Sequence, residues 1–568
     1  MTALAFSNND IAVFAWVFPQ RLPGCLGFAV YRGEAAGERW TALPALARFD
    51  GVDPAEKLTT EQAPVQKFWW KDLGAKRGST HRYRIVPLGG APSALAPLAA
   101  VEPLLTNAVT LTPQRGAYRA VFNRGIISSQ AVSAALGGLR VKDLLRRIRD
   151  PEDTLRQTLS GELMGALTAL LDSGEGALEA ALYELDDPEG LEASLVAHPE
   201  GRHVVLGNSR TKQAADGDAA ARTRLKAAGL DVTDRILASG HIPHNKFLRR
   251  GAAVLTGSTN WTTTGLCTQT NNALLIDSAE VAGHYDAYWQ QLKADSAAGS
   301  RQGVALRTWA RTHNDAVLAK PVPLDGGTIQ PLFAPSTHGA LAKPPHEHPA
   351  DLEYLFGLIG SAKQAVLFLA FDPGNNSILD AAGAALRANP SLFVRGALTS
   401  PQRALNFAAA LRGGDPVLSN DTALIGESGG AEPDYRVIPA GAVRSDDAFG
   451  AWEAELANAG FAIIHDKIVV IDPFSPGCVV ATGSHNLGYR ASHNNDENFV
   501  VIRGHRALAE AYTCHVLDVY DHYAWRYWLH KDPARFGRPL DATDAWQDRY
   551  MQDGKPNSPE LRFWLSAA

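Results

Sequence analysis

The residues able to do chemistry fall in two stretches that repeat one another. One holds His465-Asp466-Lys467, Asp472, Gly483-Ser484-His485-Asn486 and Asp496-Glu497-Asn498. The other holds His244-Asn245-Lys246, Gly257-Ser258-Thr259-Asn260 and Asn271-Asn272. Gly257–Ile276 and Gly483–Ile502 align over twenty positions without a gap. Such an internal repeat governs every later assignment. On an extended segment, His-x-Lys puts the imidazole and the ammonium on one face and the middle residue on the other. The Gly-Ser-x-Asn turn adds a hydroxyl and an amide. Two such units facing each other supply two imidazoles, two ammonium groups and two sets of neutral donors. That inventory suits a tetrahedral phosphate. One His attacks phosphorus, the other protonates the leaving oxygen, and Lys, Ser and Asn stabilise the equatorial oxygens.

This doubled pattern resembles the phospholipase D superfamily, whose signature is His-x-Lys-x4-Asp followed by Gly-Ser-x-Asn, twice per active site. The second copy carries all of it in His465, Lys467, Asp472, Ser484 and Asn486. The first keeps His244, Lys246, Ser258 and Asn260 but has Gly251 in place of the Asp, and a turn shorter by five residues. The Asp lies an odd number of residues from the His, on the other face of a regular strand, so a structural role is expected of it. The resemblance spans about residues 115 to 530. It implies catalysis by His244, Lys246, His465 and Lys467, phosphate contacts from Ser258, Asn260, Ser484 and Asn486, and no metal or other cofactor. It also implies that each imidazole is oriented by an acceptor from the opposite half. That places Glu497 behind His244 and the neutral Asn271 behind His465, which favours His244 as nucleophile and His465 as general acid.

These motifs need strands to carry them. Ile468-Val469-Val470-Ile471 reads as a strand buried on both faces, and Val479–Thr482 as the strand that delivers the second Gly-Ser turn. From Tyr118 the chain alternates strand and helix patterns, as an α/β body requires. Leu178–Leu185 and His203–Leu206 precede the first motif, and Ala365–Phe371 and Leu392–Leu398 precede the second. The Pro-rich stretch Lys320–Pro349 joins the halves. Ahead of Tyr118, strands at Ile11–Phe18, Leu26–Tyr31, Lys67–Trp70 and Tyr83–Val86 are separated by Gly, Pro and Asp turns at sandwich-like spacing. They resemble a fibronectin type III-like domain packed on the catalytic body, with Gly89–Pro103 as its linker.

A length of 568 residues exceeds a single core. A hydrophobic content of 45% and a charged content of 20% describe a globular protein. The net charge of -6 argues against a general nucleic-acid binder. Eight basic residues lie between Arg115 and Arg149 against one acid, Asp143, which keeps a local phosphate surface open beside the reading as a solvated helix face. Cys25, Cys267, Cys478 and Cys514 have no paired spacing and predict free buried thiols in a reducing compartment. No basic-then-apolar leader and no run near eighteen apolar residues is present. The expectation is a protein without a transmembrane segment, cytoplasmic or exported without a cleaved signal peptide.

Three further features have plain readings beside sharper ones. His241, His346 and His348 lack partners at ligand spacing, so no metal is expected of them. Thr399–Gly450 reads equally as a lid or as a surface insertion. The cluster Tyr520, Tyr523, Trp525, Tyr527 and Trp528 reads as core packing of a helix in preference to a membrane-touching patch. The fold expected is α/β: two phospholipase D-like α/β lobes (115–325 and 326–535) related by pseudo-two-fold symmetry. A small all-β sandwich domain (1–105) precedes them, and a C-terminal extension (536–568) follows. The function expected is a phosphodiesterase, monomeric, acting on a phospholipid head group through a phosphohistidine, with peripheral membrane contact. A nuclease acting on DNA or RNA and a non-catalytic phosphate-binding module are the alternatives.

Overall fold

The computed structural model describes the chain except residues 1, 36, 38, 46, 54–55, 127–140, 174–175, 198–199, 209–215, 302, 414–435, 441–463, 532–537, 556 and 568. Two eight-stranded mixed sheets form the body. From its edge, the first runs Gln114–Arg115, Tyr118–Phe122, Asn272–Asp277, Ala253–Gly257, Lys246–Arg250, Leu178–Leu182, Arg202–Gly207 and Asp231–Arg235. The second runs Val322–Leu324, Gly327–Ala334, Glu497–Arg503, Val479–Gly483, Ile468–Ile471, Ala365–Ala370, Phe393–Leu398 and Val437–Pro439. The two orders correspond strand for strand, so the sequence repeat is a repeat of whole lobes. In each sheet the His-x-Lys strand is central. It is paired antiparallel with the Gly-Ser strand on one side and with the first strand of the parallel trio on the other. Ile468–Ile471 is buried throughout, as a strand covered on both faces must be.

Asp472 shows what the Asp of the motif does. Its carboxylate accepts N–H groups from Lys363, Gln364 and Ala365 at 2.9, 2.7 and 2.9 Å, tying the end of the motif strand to the start of its neighbour. Asp472 has φ 46, and Gly251 at the same place in the first lobe has φ 55. The first lobe meets the left-handed requirement with glycine, where no Cβ opposes it. Replacing Asp472 by Ala should leave three N–H groups without their acceptor and keep a side chain at positive φ. We expect a loss of about 1–3 kcal/mol, measured as a lower urea midpoint. Asp472→Gly, which copies the first lobe, should recover part of it.

The N-terminal region is all-β. Thr2–Ser7, Ala12–Val17 and Trp69–Asp72 form one sheet, and Gly27–Glu34, Trp40–Ala42, Thr80–Ala91 and Ala94–Pro97 form the other. Phe14, Trp16, Phe28 and Tyr83 fill the space between, with Phe14 and Tyr83 stacked at 4.2 Å. The expected linker at Gly89–Pro103 is corrected. Thr80–Ala91 continues into a hairpin with Ala94–Pro97, and Leu104–Leu105 and Val109–Thr110 pair back onto the same strand. Gly90, at φ 103, supplies a backbone bend that a side chain would resist. The region packs on the body, where Lys71 reaches Asp518 and Asp521 at 2.8 and 3.1 Å.

The Pro-rich join between lobes is likewise more than a connector. Val322–Leu324 and Gly327–Ala334 form a hairpin inside the second sheet, across the boundary placed at residue 325. The C-terminal segment folds back over both regions. The Trp546 indole donates to the Cys25 carbonyl at 2.8 Å, Tyr550 meets Phe68, and Trp564 lies against Phe6 and Phe393. The aromatic cluster after Tyr520 lies on the helix Arg506–Lys531. Tyr523 and Tyr527 are buried there, while Trp525 is 59% exposed. The four cysteines are free and buried. Of the stretch weighed as a lid, the helix Pro401–Leu411 and the strand Val437–Pro439 are described, and much of the rest lies outside the described residues. No described helix is long and apolar enough to cross a membrane.

Candidate active site

The two motif strands deliver their histidines to one place. The rings of His244 and His465 lie 6.4 Å apart, centroid to centroid, at 67°. Both rings and both lysines are at most 4% exposed. In each lobe the lysine folds back on its own histidine. The Lys246 ammonium donates to the His244 carbonyl at 2.8 Å, and Lys467 to the His465 carbonyl at 2.6 Å. An aromatic ring backs each pair. Tyr183 lies 4.9 Å from both the His244 ring and the Lys246 ammonium. Phe371 lies 5.2 Å from His465 and 5.4 Å from Lys467.

Each imidazole faces a group from the opposite lobe. His465 Nδ1 lies 3.1 Å from Asn271 Oδ1. The amide is fixed in that sense because its Nδ2 donates to the Gly265 carbonyl and its Oδ1 accepts from Ser258. An amide oxygen only accepts, so Nδ1 of His465 carries the hydrogen and Nε2 is left for chemistry. His244 Nδ1 lies 3.4 Å from Glu497 Oε1, within ion-pair reach but without hydrogen-bond geometry. Glu497 is fully buried, held by Asn495 Nδ2 at 2.7 Å and the Asn486 N–H at 3.0 Å.

The hydroxyls of the two Gly-Ser-x-Asn turns are engaged within the protein. Ser258 and Ser484 are fully buried. Ser258 donates to Asn271 and accepts the Asn272 N–H, and Ser484 donates to the Asn498 carbonyl and accepts its N–H. These hydroxyls tie the turns together. Asn260 donates to Glu184 Oε2 at 2.7 Å. Glu184, Tyr183 and Phe371 were missed from sequence. All three directly follow the strands paired with the His-x-Lys strands, so extending the repeat upstream would have aligned Tyr183-Glu184 with Phe371-Asp372.

Burial sets the electrostatics. It holds both imidazoles well below the usual histidine range, and the neighbouring lysine charges add to that. Both rings are therefore neutral in the free protein, and a neutral ring has the lone pair a nucleophile needs. Burial also lowers Lys246 to about 7, opposed by Glu497 and Glu184. Lys467 is pushed well down by burial and by Lys246, opposed by Glu497 and Asp466. An anion set among these four groups opposes the burial and like charge that depress them, so the site is arranged for a negatively charged ligand. No group of three or more His, Cys, Asp and Glu residues arranged to hold a metal occurs among the described residues.

The family model described as cardiolipin synthase, phospholipase D-like domain, matches residues 167–293 and 448–517, one segment around each motif. With the doubled motif and the paired lobes, that match gives the chain a phospholipase D-like domain split into two segments. Among solved structures it is similar to phosphatidylserine synthase of Haemophilus influenzae, at 12% identity and TM-score 0.39, covering 64% of this chain and 84% of that one. It is similar also to the phospholipase D family member Nuc of Salmonella typhimurium, at 20% identity and TM-score 0.21, covering 23% and 86%. Yeast tyrosyl-DNA phosphodiesterase matches at 10% identity and TM-score 0.29, covering 59% and 86%. No curated protein sequence matches the chain as a relative.

Proposed function

We propose that the protein is a phosphodiesterase of the phospholipase D type that hydrolyses a phospholipid head-group diester, or transfers it to an alcohol, through a covalent phosphohistidine. The observation that carries this reading is the pair of buried imidazoles 6.4 Å apart, each facing a group from the other lobe. Binding of the anionic diester opposes the burial and lysine charges that depress His465, which takes up a proton on Nε2. Nε2 of His244 then attacks phosphorus, and the bond to the leaving oxygen breaks as that oxygen takes the proton from His465. Water or an alcohol then gives its proton to His465 and attacks phosphorus, and the bond to His244 breaks. Lys246 and Lys467 hold the equatorial oxygens. Nucleophile, acid and charge neutralisation are all supplied by side chains, so no metal has a step to perform.

The lipid is preferred to nucleic acid on charge. Three of the eight basic residues that kept a nuclease open are engaged within the protein. Arg115 donates to the carbonyls of Ser7 and Thr112, Arg124 to Asp10, and Arg147 to Asp153. The test presents phospholipid vesicles and, separately, single- and double-stranded DNA, with a chelator present. Head-group release or exchange with DNA left intact is the expected result. Cleavage of DNA alone would make the protein a nuclease. Phosphate binding with no turnover of either would make it the non-catalytic module.

A further inference from the structure

We propose that Asp466 and His515 are a positioning pair that holds Lys467 as the ammonium of the second lobe. The inference rests on the catalytic reading above. The middle residue of each His-x-Lys points away from the site into the seam between lobes, where the two sides can be compared position by position. On one side, Asn498 Nδ2 donates to Asn245 Oδ1 at 2.8 Å, while Asn498 Oδ1 accepts from Thr256 at 2.6 Å and from Tyr285 at 3.0 Å. On the other, Asn272 Nδ2 donates to Asp466 Oδ1 at 2.9 Å, while Asn272 Oδ1 accepts from Thr482 at 2.9 Å and from Tyr512 at 3.4 Å. Even the rings agree. Phe333 stacks on Tyr288 at 4.3 Å and 21°, and Phe122 stacks on His515 at 4.3 Å and 23°.

Two positions differ, and they touch each other. The first seam pairs the Asn245 amide with the Tyr288 hydroxyl at 3.0 Å, both neutral. The second pairs the Asp466 carboxylate with His515 Nε2 at 3.0 Å, at 0% and 5% side-chain exposure. A buried carboxylate needs a partner to remain ionised, and His515 is placed to be one. It also donates to nothing, so it accepts from both Asn272 and His515. The anion stands between His465 and Lys467 in the chain, on a lobe whose imidazole has only an amide behind it.

The charges facing Lys467 are Lys246, which disfavours the ammonium, and Glu497 and Asp466, which favour it. Those facing Asp466 are His515, the Lys467 ammonium and, one turn earlier on the His515 helix, the Tyr512 hydroxyl. Lys246 has the neutral Asn245 at the matching place and relies on Glu497 and Glu184. Removing the Asp466 charge therefore weakens Lys467 alone, and its proton should leave at lower pH.

The test titrates lysine labelled with carbon-13 at Cε by NMR, with Lys467→Met to assign the signal, and needs no turnover. Asp466→Asn should move the Lys467 midpoint to lower pH, by more than it moves Lys246, and should lower the melting temperature. The double variant Asp466→Asn/His515→Tyr copies the neutral seam. It should recover the melting temperature while the Lys467 midpoint stays displaced. The reciprocal Asn245→Asp/Tyr288→His should raise the Lys246 midpoint, which keeps the question open to test if the first pair folds poorly. A Lys467 midpoint unmoved by Asp466→Asn, or restored with the fold in the double variant, would overturn the proposal. Turnover of a nitrophenyl phosphodiester, measured alongside, should lose its basic limb at lower pH in step with Lys467. Expected titrations without any turnover in the unaltered protein would count against the catalytic reading and leave the pair's role standing.

Discussion

His244→Ala should yield no phosphoenzyme with any substrate, whereas His465→Asn should still form one when the leaving group is good. The difference follows from the two steps of the proposed mechanism. The His244 variant has lost the atom that bonds to phosphorus, and no change of substrate replaces it. The His465 variant has lost a proton donor. General acid catalysis is worth ~10²–10⁴-fold, so a natural diester should suffer by about that factor. A nitrophenyl diester leaves as a stable anion and should suffer much less. Trapping the enzyme with a labelled nitrophenyl diester and mapping the modified residue decides the matter. Label on His465, or label surviving in His244→Ala, would reverse the two roles.

Glu497→Gln should lower turnover of natural and activated diesters together. This carboxylate lies behind the nucleophile at 3.4 Å and also accepts the Asn486 N–H and the Asn495 amide. Glutamine keeps the shape but loses the charge that favours the imidazolium. Support groups of this kind can be worth up to about 10⁴ in turnover. Asn271→Ala, behind the acid, should instead hurt the natural diester more than the activated one. The ratio of the two rates in each variant is the measurement. A Glu497→Gln enzyme that loses only the natural substrate would place the carboxylate behind the acid and sink the assignment.

The site was legible where its chemistry is local. Two His-x-Lys segments and two Gly-Ser turns recur at fixed spacing, and the strands that carry them read from their apolar runs. What was not legible lies across the chain. Nothing in Ser258 or Ser484 themselves says that their hydroxyls face inward to Asn271 and the Asn498 backbone, because that depends on how two strands meet. Tyr183 and Phe371 look like ordinary aromatic residues until the strand pairings put them beside the lysines. The Gly89–Pro103 segment has the composition of a linker, yet a tight turn at Pro92-Ser93 folds it into a hairpin. The neutral Asn271 opposite Glu497 was visible in the repeat. The matching exchange of Asp466 and His515 for Asn245 and Tyr288 was half visible, since the helices that supply His515 and Tyr288 carry no motif.

The return of residues 538–567 to the N-terminal sheets has a consequence for how the protein is made. Phe28 meets Trp546, and Phe68 meets both Trp546 and Tyr550. At roughly 5–20 residues per second, a ribosome takes on the order of half a minute to two minutes to pass from one set of rings to the other. For that interval these sheets, once out of the exit tunnel, have an aromatic face without the rings that cover it in the folded protein. The lobes share the same delay, because the carboxylate behind His244 is synthesised some 250 residues after it. Neither this β region nor the surroundings of His244 can be finished in the order of synthesis, and a nascent chain stalled before Glu497 would bear His244 without the carboxylate that faces it.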